Sequence, residues 1–289
     1  MDTKRPGRLL KSILANQANQ ANQANNQGNQ GNQPKKPGRL LKSILAKQAA
    51  QANPAEEQIQ RAEEVERRGR LLAIGDIHGC LFELQDLLDQ VNPQTEDRIV
   101  FLGDYVDRGP DSAGVISFLL AFRDLFPQTV YLRGNHEQMF LDFLSGADPS
   151  LFLLNGGTET LNSYQNERLW PIPEAHRMFL ETLDYSFETD DFIFAHAGLR
   201  PGLPLSEQSL EDLLWIRQDF LKSEYDWGKT VVFGHTPLKA PYQKNNRIGL
   251  DTGCVYGRAL TCCDVKNGQL WQTHLDAKSS GQRRNISPG

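Results

Sequence analysis

The chain has 289 residues, a net charge of −5, and 39% hydrophobic residues, against about 45–50% in a typical domain. Four cysteines in so long a chain are no disulfide framework, and no apolar run approaches the roughly 18 residues of a membrane span, so a disulfide-rich secreted protein and an integral membrane protein are excluded and a cytoplasmic, reducing setting is expected. The charge is unevenly spread: residues 1–52 hold nine Lys or Arg against one Asp, and the rest holds 22 against 35. An acidic body repels phosphate backbones, so nucleic acid is not an expected partner.

Residues 6–15 read PGRLLKSILA, and residues 37–46 repeat the same ten letters. Between them lies a tract of Asn, Gln, Ala and Gly that cannot offset its ordering entropy by burial. Residues 1–55 are therefore expected to be a disordered tail. In each repeat, Leu9, Leu10, Ile13 and Leu14, or Leu40, Leu41, Ile44 and Leu45, share one helical face flanked by basic residues. That pattern suits a short docking element for a partner or an anionic membrane surface. Residues 55–68 read as a charged surface helix, 56–276 as one folded domain, and 277–289 as a loose C-terminal tail.

From residue 70 onward the pattern alternates. Short apolar runs at 70–75, 98–102 and 129–132 read as strands, with helical spacing at 81–91 and 112–126 between them. This rhythm predicts βαβ units and a largely parallel sheet. Residues 135–184 read as mainly helical. Runs at 192–195, 231–233, 248–250, 259–265 and 270–274 predict a second set of strands.

The strand ends carry polar clusters that a core would not choose. The first three are Gly75-Asp76-Ile77-His78-Gly79, Gly103-Asp104-Tyr105-Val106-Asp107-Arg108-Gly109 and Arg133-Gly134-Asn135-His136-Glu137. Two later runs end in His196-Ala197-Gly198 and Gly234-His235-Thr236. Carboxyl ends of strands in open α/β sheets are where ligands bind. Carboxylates mixed with imidazoles and no thiolate suit Mn, Fe or Zn. Four of the six histidines fall in these blocks, whereas His176 and His274 read as packing or surface residues. Cys80, Cys262 and Cys263 read as structural.

These five blocks, in this order, resemble the phosphoprotein phosphatase family of metal-dependent serine/threonine phosphatases. The wording HAGLRPG, LLWIR and VVFGHTP is similar to its bacterial branch, and the resemblance covers about residues 70–275. It implies an α/β fold built as a two-sheet β-sandwich flanked by helices. It also implies two divalent metal ions, one held by Asp76 and His78, the second by Asn135, His196 and His235, with Asp104 bridging. A hydroxide shared by the ions would attack phosphorus in line. Arg108 and Arg133 would clamp the phosphoryl oxygens, His136 would protonate the leaving alkoxide, and Asp107 would orient His136 and keep it cationic. Arg217 is the candidate for a further substrate arginine, and Tyr256 for a substrate-side tyrosine in the loop Asp251-Thr252-Gly253-Cys254-Val255-Tyr256-Gly257. The implied substrate is a phosphoprotein or another phosphate ester. Two further readings stay open: a symmetrical diadenosine tetraphosphate hydrolase, and a non-catalytic phosphopeptide-binding module.

Overall fold

The computed structural model describes residues 69–244 and 246–273. The duplicated tail, the charged stretch before residue 69, His274 and the C-terminal tail lie outside the described residues. Among those described, no helix is long and apolar enough to cross a membrane.

Strand β1 (Leu71–Ile74) leads into helix α1 (Leu81–Val91), β2 (Arg98–Phe101), α2 (Ser112–Leu125), β3 (Val130–Tyr131) and α3 (Asn135–Leu144). A helical excursion follows: α4 (Ser150–Phe152), a π-helical turn at Leu153–Gly157, α5 (Thr158–Asn166) and α6 (Glu174–Glu181). The chain continues through β4 (Ser186–Glu188), β5 (Phe192–Ala195), α7 (Leu210–Trp215), α8 (Gln218–Lys222), β6 (Thr230–Phe233), β7 (Tyr242–Lys244) and β8 (Arg247–Gly249). It closes with β9 (Thr261–Asp264) and β10 (Gln269–Gln272).

Two five-stranded mixed sheets result, ordered β10-β9-β1-β2-β3 and β4-β5-β6-β8-β7. The pairs β1–β2, β2–β3, β5–β6 and β6–β8 are parallel; β9, β10, β4 and β7 join antiparallel. Parallel pairing in β1–β3 matches the sequence expectation. The last two strands correct it, because β9 and β10 extend the first sheet beside β1 rather than the second.

Strand alternation explains the layers. On β1, Leu72 and Ile74 join the core under α1 and α2 with Leu84, Leu88, Ile116 and Phe122. Leu71 and Ala73 point the other way, into an inter-sheet layer with Val100, Phe194, Val232 and Leu250. A third cluster packs Ile193, Val231 and Phe233 of the second sheet against Leu213 and Phe220 of α7 and α8. Helices therefore cover the outer face of each sheet, as the family resemblance implies. All six parallel strands send their carboxyl ends to one rim, where backbone hydrogen bonds from Gly234 to the His196 carbonyl and from Leu102 to the Ile74 carbonyl join neighbouring loops.

Candidate active site

Each block sits immediately after a parallel strand, and one buried carboxylate organises two of them. Glu137, at the third position of α3, accepts the N–H groups of Asp104 (2.9 Å), Tyr105 (2.7 Å), Val106 (3.2 Å) and Gly134 (2.9 Å). The Gly134 bond is half of a capping box; the other three pin the loop after β2 to the start of α3. Gly134 and Gly234 permit this closeness. A Cβ on Gly134 would lie 2.1 Å from Asp104 Oδ1, and one on Gly234 would lie 2.1 Å from Asp76 Oδ1.

The loops store strain. Of the seven non-glycine residues with positive φ among those described, five belong to the blocks: His78, Asp104, Asp107, Arg108 and His235. Left-handed backbone disfavours each by about 1–2 kcal/mol, so the surrounding hydrogen bonds must hold these side chains in place.

Asp76, His78, Asp104, Asn135, His136, His196 and His235 are all buried at the strand ends. Ligand atoms of His78, Asp104 and His136 lie within 4.8 Å of one another, as do those of Asp104, His196 and His235, so Asp104 belongs to both groups. His78 Nδ1 donates to the Val106 carbonyl (2.8 Å) and His196 Nδ1 to the Leu102 carbonyl (2.8 Å). Both Nε2 atoms thereby carry a lone pair rather than a proton, the form a metal requires, and that of His78 accepts a hydrogen bond from Arg108 Nη1. Each lies 3.4 Å from an Asp104 oxygen. Asn135 Oδ1 is 3.0 Å from His196 Nε2 and 2.9 Å from His235 Nδ1, while His235 Nε2 is buried without a hydrogen-bond partner. An amide oxygen and imidazole nitrogens brought this close are donors that could share a cation. Asp76 accepts the His235 N–H through both oxygens (3.1 and 2.9 Å).

The electrostatics agree. Burial, then Asp251 and Asp104, pushes Asp76 well above the usual carboxylate range; Asp104, chiefly through burial, is pushed up to about 7. Burial also holds His78, His136 and His235 well below the ordinary imidazole range and lowers His196 to about 4. A divalent cation beside these groups would favour the ionised carboxylates and the neutral imidazoles together.

Beside this centre, His136 Nδ1 contacts Asp107 Oδ2 at 2.7 Å, and His136 Nε2 faces Asp104 Oδ2 at 4.0 Å. Thr160 of α5 donates to the other Asp107 oxygen (2.6 Å) and accepts the Asp107 N–H (2.8 Å). Burial, followed by repulsion from His78 and Arg108, holds His136 well below the ordinary imidazole range.

The arginines divide. Arg108 Nη1 donates to His78 Nε2 (2.8 Å), its guanidinium lies 5.9 Å from the centre of the Tyr256 ring, and its N–H bonds to the Gly156 carbonyl (3.0 Å). Arg217 Nη1 donates to the His235 carbonyl (3.1 Å). Arg133, expected as a clamp, is instead engaged by Gln138 (3.0 Å), the Tyr185 hydroxyl (2.8 Å) and the carbonyls of Leu180 (3.1 Å) and Glu181 (2.8 Å). His176 is a buried packing residue between the Ser117 and Tyr164 hydroxyls.

Sequence reasoning passed over three residues. Asp251 is buried, follows β8, and repels Asp76; the rule that located the other blocks, a carboxylate just past a parallel strand, also locates it. Glu137 stood in a quoted block without a role. Thr160 lies 53 residues from Asp107, and no local signal marks it.

The family described as Calcineurin-like phosphoesterase matches residues 69–265. A serine/threonine-protein phosphatase 1 of Salmonella typhimurium is 32% identical over 211 residues, covering 67% of this chain and 91% of its own. A bis(5'-nucleosyl)-tetraphosphatase PrpE, of the asymmetrical kind, from Oceanobacillus iheyensis is 30% identical over 220 residues, covering 65% and 85%. A solved structure named for diadenosine tetraphosphatase activity aligns with a TM-score of 0.56 at 27% identity, covering 71% of this chain and 93% of that one. With the strand-end blocks, the two-sheet sandwich and these matches in agreement, the chain belongs to the calcineurin-like phosphoesterase family.

Proposed function

We propose that this metallophosphoesterase hydrolyses phosphoserine and phosphothreonine esters of proteins. The observation that carries the reading is the buried His136–Asp107 pair at the edge of the Asp104 cluster. A serine or threonine alkoxide is a poor leaving group and needs a proton in the transition state. A nucleotide leaving on phosphate oxygen needs one far less.

Asp76 and His78 would hold one divalent cation, Asn135, His196 and His235 a second, with Asp104 common to both. Cations there would acidify a water molecule and polarise the phosphoryl oxygens, Mn²⁺ being the expected occupant and Fe or Zn the alternatives. Arg108 and Arg217 present planar forks to the phosphoryl oxygens, where a bidentate donor outperforms lysine. Tyr256 flanks Arg108 on the substrate side. Arg133, bonded to Leu180 and Glu181, secures the loop that presents Asn135 and His136. His136 gives the proton on Nε2 to the leaving oxygen while Asp107 holds Nδ1 and Thr160 holds Asp107. The negative charge of a bound phosphate would oppose the burial that lowers His136.

The second reading, hydrolysis of a dinucleoside tetraphosphate, is favoured by the PrpE relatives. Chelated protein reloaded with Mn²⁺ distinguishes the readings on phosphopeptides, diadenosine tetraphosphate and 4-nitrophenyl phosphate. The expected result is the highest kcat/KM on phosphopeptide. His136→Asn should then lower kcat about 10²–10⁴-fold on phosphopeptide, and far less on the nitrophenyl ester. A higher kcat/KM on the tetraphosphate establishes the second reading, and product identity then separates symmetrical from asymmetrical cleavage. Phosphopeptide binding without turnover establishes a non-catalytic recognition module.

A further inference from the structure

A second cluster of metal-binding groups lies outside this centre and has a different chemistry. Cys80 is the N-cap of α1, Glu83 sits in its first turn, and Cys254 opens the short 3₁₀ turn Cys254–Tyr256. The two sulfurs and a Glu83 carboxylate oxygen all lie within 4.8 Å of one another. Both cysteines are buried and carry no disulfide, and Glu83 is half-buried. A tetrahedral ion with sulfur at about 2.3 Å and oxygen at about 2.1 Å needs ligand atoms roughly 3.5–3.8 Å apart. Small side-chain rotations reach that spacing.

The other cysteines do not form such a cluster. Cys262 and Cys263 are neighbours on β9, so alternation turns Cys262 into the core under α1 and Cys263 into the inter-sheet layer.

We infer that Cys80, Glu83 and Cys254 form a three-ligand site for one borderline-soft divalent cation of the Zn²⁺ class. With three protein ligands the fourth position falls to water, as in exchangeable rather than closed structural sites. The carboxylate is what distinguishes an ion site from a disulfide. A carboxylate oxygen has no part in a disulfide, yet serves as a ligand to a cation. Donor softness separates this site from the Asp104 centre, where the donors are oxygen and imidazole and no sulfur is offered. Binding replaces two S–H bonds with two metal–sulfur bonds and releases two protons to solvent.

The position gives the site a consequence. Cys254 lies in the loop between Gly253 (φ 71°) and Gly257 (φ 83°), which carries Tyr256 against Arg108. An ion shared with Cys80 fastens this loop to the N-terminus of α1, and so fixes the tyrosine flanking the substrate arginine. The inference does not depend on which phosphate ester is hydrolysed.

Co²⁺ serves as the spectroscopic stand-in for Zn²⁺, titrated into reduced full-length protein already saturated with Mn²⁺. Thiolate-to-cobalt charge-transfer absorption should rise to one equivalent per chain and be displaced by Zn²⁺. Oxygen and imidazole ligands do not produce that band, so the Asp104 centre stays silent. Cys254→Ser should abolish it. Glu83→Gln, a milder change, should leave a folded protein that binds Co²⁺ at least tenfold more weakly. No charge-transfer band in folded protein, or a band undiminished in Cys254→Ser, overturns the assignment.

Discussion

Thr160→Val changes the shape of the site least and its proton most. The substitution is nearly isosteric, and the Asp107 N–H it abandons keeps Ser112 Oγ at 3.1 Å. What disappears is the hydroxyl donated to Asp107 Oδ1 at 2.6 Å. Burial pushes the Asp107 carboxyl well above its usual range, and the Thr160 hydroxyl is the strongest influence opposing it. A hydrogen bond to a charged group contributes about 1.5–3 kcal/mol. Without it the proton of the 2.7 Å pair moves toward Asp107 and away from His136. At about 1.4 kcal/mol per decade, the population able to donate from His136 falls roughly 10–100-fold. Steady-state kinetics should therefore show kcat on a phosphopeptide reduced by that factor, KM and bound metal unchanged, and 4-nitrophenyl phosphate turnover nearly intact. Thr160→Ser, which restores the hydroxyl, should recover most of the loss. Equal losses on both substrates, or no recovery with serine, would refute the argument that Thr160 acts through Asp107.

Three further outcomes are expected. Glu137→Asp withdraws the carboxylate by one methylene and should orphan at least two of its four N–H partners, lowering stability by about 2–4 kcal/mol in urea denaturation; a change under about 0.5 kcal/mol contradicts the anchoring role. Gly134→Ala places a Cβ 2.1 Å from Asp104 Oδ1 and should weaken Mn²⁺ binding at least tenfold by calorimetry, whereas unchanged affinity would mean the loop gives way freely. Asp97, buried but hydrogen-bonded by Arg70 and the Gln94 N–H, has its carboxyl lowered from 3.8. Its contribution is present above pH 3.8 and is lost as pH falls through the lowered value. Asp97→Asn should therefore be less stable at pH 7 by about 1–3 kcal/mol, with the gap closing below about pH 4; a gap that persists at low pH would be the wrong sign.

The site was more legible in the sequence than the sheets around it, for a physical reason. The polar side chains of the buried cluster stand at the ends of short buried strands, where glycine and charged residues interrupt an apolar run. Asp76, Asp104, Asn135, His196 and His235 could be found this way. Sheet membership has no such local mark: β9 carries the same kind of apolar run whether it pairs with β1 or with β8, and only tertiary packing sends it to β1. Strands β4 and β7 are three-residue edges, partly exposed, with no periodicity to read. The partners of Arg133 come from residues 138, 180, 181 and 185, so its commitment to α3, α6 and the turn after them is a property of the fold.

The left-handed backbone at His78, Asp104, Asp107, Arg108 and His235 bears on how this protein could be evolved. A screen that rewards survival of heating alone would favour glycine or asparagine at those positions, because each relieves local strain. The survivors would be robust and inert. Arg168 also has positive φ, at 57°, and lies outside the strand-end blocks. Arg168→Gly gives the same kind of relief without touching a ligand, so it marks where selection for durability and selection for turnover can be satisfied together.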